Sequence, residues 1–169
     1  SRAKDNAGNL ETPTSITVNV DNTAPTTTLT TTPATPNGEN SWFKTTPSIS
    51  FTTSESATTY HQWDSTTGPW LTTSPIVPAG THTIYYYSID TAGNIETTKN
   101  QIIKVDTGIP VSNITSPLNG AYIKGAAYTI TGTSSDIGSS NVSQVEISTN
   151  NGATWNLVTN TGVNYSTWS

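Results

Sequence analysis

The sequence contains no cysteine, which excludes a disulfide framework, a redox dithiol and any thiolate metal site. That absence leaves an extracellular setting open, since many bacterial surface proteins lack disulfides and depend on repetition. Positive charge is also scarce, with six Lys plus Arg against eleven Asp plus Glu, a net charge of −5. The basic stripe needed to neutralise phosphates is therefore missing, and nucleic acid is excluded as a partner. No run approaches the ~18 consecutive apolar residues of a membrane-spanning helix. Leu, Ile, Val and Phe together number only 30 of 169 residues. Such a low share indicates disorder when net charge is high. Here charge is modest, and 36 Thr, seven Tyr and five Trp take the place of the aliphatics. These residue types favour pleated strands, so the composition predicts an all-β chain.

What is present in abundance is repetition. The stretch "SRAKDNAGNLETPTSITVNVDNTAP" (1–25) returns as "YYSIDTAGNIETTKNQIIKVDTGIP" (86–110). Asp5, Ala7, Gly8, Asn9, Glu11, Val20, Asp21 and Pro25 recur as Asp90, Ala92, Gly93, Asn94, Glu96, Val105, Asp106 and Pro110 at one gap-free offset of 85 residues. A period of this length is the size of a sandwich domain. The repeat divides the chain into a closing hairpin (1–24), a complete domain (25–109) and the body of a further domain (110–169).

Within 25–109, strands are predicted at 26–32, 48–53, 58–64, 69–73, 82–90 and 100–106, separated by Pro, Gly and Asn groups, the spacing of a β-sandwich. In 110–169, strands are predicted at 126–135, 142–149 and 154–160, with Asn151-Gly152 as a hairpin turn because both residues tolerate positive φ. Segment 15–21 reads as an alternating strand. Aligning the two hairpins predicts that Ala3, Ile84, Tyr86 and Ser88 face a core, with Trp63 at the sandwich centre. Tyr85, Tyr87 and Ile89 then form an exposed ridge. Pro25 and Pro110 end strands and stiffen short inter-domain links.

The residues "SIDTAGNIE…VDTGIP", "SRAKDNAGNLE…VDNTAP" and "VEISTNNGATWNLV…YSTWS" resemble the bacterial Ig-like repeats found in tandem on secreted and cell-surface proteins. The resemblance covers nearly the whole chain. It implies an all-β fold of tandem Ig-like (immunoglobulin/fibronectin-III-type) β-sandwiches joined end to end, at a bacterial or archaeal cell surface or outside the cell. In such repeats a "TW" strand leads into another "RA.D.AGN.E" hairpin. The third unit therefore lacks the hairpin that residues 1–21 supply, and an Ig-like body equivalent to it is expected to cover them, from the same longer polypeptide or from an identical subunit in a head-to-tail fibre.

The Asp-x-Ala-Gly-Asn turn has a local explanation: the aspartate accepts backbone N–H groups ahead of it, while Gly93 and Asn94 tolerate the left-handed region. The functional alternative is calcium, for which these side chains offer hard oxygen ligands. Its candidate ligands form two sets: Asp5, Asn9, Glu11 and Asp21, and Asp90, Asn94, Glu96 and Asp106. No nucleophile elbow, phosphate loop or HExxH helix is present. His61 and His82 read as satisfied strand histidines, and Glu55, Asp64, Asp136 and Glu146 as solvated charges, so no catalysis is expected. Trp42 and Trp70 are the candidate stacking faces of an adhesin or carbohydrate-binding alternative, Trp155 and Trp168 offer further aromatic surface, and Trp155 reads as packing. Asn113, Asn141 and Asn164 head N-x-[ST] sequons, which arise easily in so polar a composition. The leading functional expectation is a structural segment, a rod, stalk or filament, whose partners are neighbouring Ig-like domains.

Overall fold

The computed structural model describes residues 1–125 and 127–169. The central unit is built from two antiparallel sheets. β1 (Thr27–Thr32) pairs with β2 (Ser48–Thr53) along its whole length. β3 (Ala57–Trp63), β4 (Gly80–Asp90) and β5 (Lys99–Val105) make the second sheet, with β4 in the middle. Period-2 alternation explains the burial. Ile49 is buried on β2, and Ile84, Tyr86 and Ser88 are buried on β4 while Tyr85, Tyr87 and Ile89 between them are half-buried.

Phe43, Ile49, Val77, Ile84, Ile103 and Val105 form the core, with Leu29, Phe51 and Trp63 packed against it. Each fully buried aliphatic or Phe contributes about 1.5–3 kcal/mol. Trp63 thus borders the core rather than filling its centre. The ridge of Tyr85, Tyr87 and Ile89 is not free either. Tyr60 stacks on Tyr87 at 5.3 Å, and Trp70 meets the same ring edge-on at 4.8 Å.

The predicted strand at 69–73 reduces to one bridge, Leu71 to His61, because prolines at 69 and 75 remove N–H donors at both ends. Phe43 was not singled out by pattern, yet it is buried. Its N–H bonds to Lys104 O at 2.8 Å, and its carbonyl accepts Asp106 N–H at 2.9 Å.

The third unit begins with β6 (Val111–Ser116), which pairs with β7 (Thr131–Ser135). β8 (Glu146–Ile147) and β9 (Asn156–Leu157) form a hairpin, and β10 (Thr167–Trp168) returns beside β7. The hairpin turns as expected at Asn151 and Gly152, both at positive φ. The expected strands at 142–149 and 154–160 are each cut to two paired residues. The expected strand 126–135 begins at Ala126, which lies outside the described residues, and its observed counterpart is β7. β6 escaped the pattern because Val111 and Ile114 stand three apart, a spacing that period-2 reading does not select. Val142, Val145 and Trp168 are buried here, with Ile130, Ile147, Val158 and Tyr165 around them. Trp168 lies directly on Gly132, where any Cβ would overlap its ring.

Residues 1–24 are exposed throughout. Residues 1–14 form a small hairpin through a Lys4–Leu10 bridge, Glu11 N–H to Ala3 O (2.9 Å) and Thr14 N–H to Ser1 O (2.9 Å). Segment 15–21, expected as a strand, pairs with nothing among the described residues, and the 110–169 body does not cover it within one chain.

Candidate functional site

The two Asp-x-Ala-Gly-Asn turns are nearly superimposable in their bonding. Asn9 N–H and Asn9 Nδ2 donate to the two Asp5 carboxylate oxygens at 2.8 and 2.7 Å. Asn94 N–H and Nδ2 do the same to Asp90, both at 2.8 Å. Only the glycine enters the left-handed region, Gly8 at φ 97° and Gly93 at φ 93°. Asn94 serves through its side chain, not through a left-handed backbone as expected. The Asn9 side-chain bond holds Asp5 below the usual carboxylate pKa. Burial works to raise Asp90, but the Asn94, Gly93 and Ala92 hydrogen bonds outweigh it and the net shift is downward.

Neither expected set of calcium ligands converges. Val105 pairs with Gly80 at the start of β4, whereas Asp90 ends that strand. Ten residues at ~3.3 Å each put Asp106 about 30 Å from Asp90. Glu96 turns inward instead: it is buried, accepts Thr27 N–H at 2.8 Å and forms an ion pair with Lys99. Glu11 accepts Ala3 N–H at 3.0 Å. Asp21 leaves its own set and joins the second turn, its carbonyl accepting Asn94 Nδ2 at 3.1 Å.

A different grouping appears. Carboxylate oxygens of Asp21, Glu55 and Asp90 lie within 4.8 Å of one another. Burial, then the charges of Asp21 and Asp90, push the Glu55 pKa up. Glu55 is thus not the solvated charge that the sequence suggests. Its 34 residues of separation from Asp21 leave no local motif, so only the folded β2–β3 turn reveals the cluster.

At the opposite end of the central unit, Asp106 sits in the link to the third unit. Its carboxylate accepts Gly108 N–H at 2.8 Å and Ser140 N–H at 2.6 Å. A cleft of about 230 Å³ beside it is lined by Glu39, Trp42, Lys44, Ser140 and Asn141, among others.

His61 is buried on β3, and that burial lowers its pKa. His82 does have an acidic neighbour that the sequence did not disclose, Asp64, at 2.6 Å. The candidate stacking residues are engaged in packing: Lys104 lies over the Trp42 ring at 5.8 Å, and Trp70 is set edge-on against Tyr87. Trp155 is exposed. Asn113, Asn141 and Asn164 are all exposed, the last two at positive φ.

Antiparallel strands in several small sheets make this an all-β chain with an Ig-like fold. Residues 110–169 match the family model described as a bacterial Ig domain. Bacterial Ig domains are modules typical of surface and extracellular proteins. Searches of curated proteins and of solved structures gave no match. Among the described residues, no helix is long and apolar enough to cross a membrane.

Proposed function

We propose that this chain is a non-catalytic structural segment of an extracellular tandem Ig-like protein, spacing neighbouring units along a rod, stalk or filament. The observation that carries the reading is the passage from β5 to β6, where only residues 106–110 separate the strands of consecutive units. A link this short, closed by Pro110, leaves little room for free rotation. Small-angle scattering from the chain tests it: an elongated profile with two resolved units supports the reading, and a collapsed one refutes it.

The bare N-terminal segment fits the same picture. Val18 and Val20, 71% and 78% exposed, hold the repeat positions of Ile103 and Val105, which are 2% and 1% exposed. Residues 15–21 are thus a closing strand whose apolar face belongs against an Ig-like body, in the same polypeptide or in an identical neighbouring subunit.

A second reading is calcium at Asp21, Glu55 and Asp90, supported by their mutual approach. Three hard oxygen donors at one joint suit a divalent cation. Melting with calcium and with a chelator tests it, and an unchanged midpoint removes it. The glycan alternative gains no support from Trp42 or Trp70, each of which makes a contact within the chain, to Lys104 and to Tyr87.

A further inference from the structure

We infer that Asp106 and Gly138 form a latch that fixes the angle between the central and third units. Asp106 is anchored on the central unit, since its own N–H donates to Phe43 O at 2.9 Å directly after β5. Its side chain then reaches across the joint. One carboxylate oxygen takes the Gly108 N–H of the link at 2.8 Å, and the other takes the Ser140 N–H of the third unit at 2.6 Å. Asp106 is 93% buried there by its 7% residual exposure.

The loop that receives it is shaped for the purpose. Asp136 accepts Gly138 N–H at 3.1 Å and Ser140 Oγ at 3.5 Å, holding residues 136–140 in a tight turn. Gly138 lies flat against the Asp106 carboxylate, and a Cβ at that position would overlap it. Gly108 is packed in turn against the Gly138 backbone, again with no room for a Cβ. A charged acceptor with two backbone donors, one from each side, gives bonds roughly twice as strong as neutral ones. Relative motion of adjacent domains is the default unless such an interface restrains it.

The other joint shows that an aspartate alone does not suffice. Asp21 holds the repeat position of Asp106 and makes the same local turn, accepting Thr23 N–H at 3.0 Å. The β2–β3 turn opposite it reads Ser54-Glu55-Ser56-Ala57, without a glycine socket, and it presents the Glu55 carboxylate instead of a loop N–H. The latch therefore requires the Asp-x-Gly-x-Ser loop of the following unit as well as the aspartate before it. The inference rests on the tandem reading and adds which residues set the angle.

The absence of cysteine makes the test direct. Nitroxide labels at Thr66→Cys and Thr149→Cys, both on exposed residues of different units, report the inter-unit distance by pulsed electron resonance on the full chain. The native joint gives a narrow distribution, and Asp106→Ala and Gly138→Ala each broaden it roughly two-fold. Asp106→Asn, which keeps one acceptor and sets an amide N–H₂ against the other donor, falls between. Tryptophan fluorescence and melting of each variant verify that the units stay folded. A broad native distribution, or unchanged widths in both variants, overturns the latch. The mean distance separately reports the rod: a narrow but short distance refutes elongation while leaving the latch standing.

Discussion

His82 sits between two acceptors, with Nδ1 2.6 Å from Asp64 Oδ2 and Nε2 2.9 Å from the Ala79 carbonyl oxygen. Only the doubly protonated imidazolium donates to both. The hydrogen bond to Asp64 raises the His82 pKa, and the same bond lowers that of Asp64, which also accepts Thr83 N–H at 2.8 Å.

The sign of the pH dependence follows. The folded state holds the His82 proton more tightly than the unfolded chain, so this stabilisation is complete below about pH 6.5 and is lost as pH rises through the elevated folded value. For Asp64 the contribution is present above the ordinary carboxylate range and is lost as pH falls through its depressed value. The melting temperature should drop as pH rises from about 6.5 through the raised His82 value, and His82→Gln should flatten that drop. The pair is well exposed, so its worth is about 1 kcal/mol or less.

Glu96 should be far more sensitive. It receives Thr27 N–H and pairs with Lys99, whose Nζ also donates to Thr27 O at 2.7 Å, tying β1 to the turn after β4. Burial raises its pKa, but the bonds from Lys99 and Thr27 outweigh this and the net shift is downward. Glu96→Ala should cost about 2–4 kcal/mol, since it removes the counter-charge of Lys99 and leaves the Thr27 N–H without its acceptor. Denaturant melts measure it. The native pair's contribution should fade as pH falls through the lowered carboxylate value.

Glu55 should behave in the opposite sense. Its pKa is raised, so the folded state loses stability on its deprotonation, and Glu55→Gln should raise the melting temperature near neutral pH in chelator. If calcium occupies the cluster, the native chain gains stability on its addition and Glu55→Gln does not. Paired melts with and without the cation separate the two.

The two cores should differ in their response to truncation. Ile84 has no exposed surface and lies among Phe43, Ile103 and Val105. Ile84→Ala should cost about 3–4 kcal/mol. Leu157, 66% exposed on β9, should lose well under about 1 kcal/mol on the same change, as surface positions do. Chemical denaturation followed by tryptophan emission distinguishes them.

Much of this architecture was legible in the residues themselves. Alternation placed β1, β2, β4 and β5 within a residue or two, and it put Ile84, Tyr86 and Ser88 on the inner face. The Asp-Gly-Asn turn chemistry was equally clear, because an Asx-type turn is satisfied by residues two to four positions away. β6 was not legible, since its apolar residues break the period. Nor was Phe43, which follows Trp42 in a loop and whose burial depends on where β5 happens to run.

The same division holds for the sites. Local order dictates the repeat, the all-β class, the hairpin turns and the joints at Pro25 and Pro110, because strand alternation and turn preference are short-range properties. Which carboxylates meet is a long-range matter. Asp106 and Asp90 looked like partners sixteen positions apart, and an antiparallel sheet carried them to opposite ends of one strand. Asp21, Glu55 and Asp90 came together, as did His82 with Asp64 and Asp106 with Ser140. Only the packing of sheets and units sets those neighbours, since no local preference spans the loops between them.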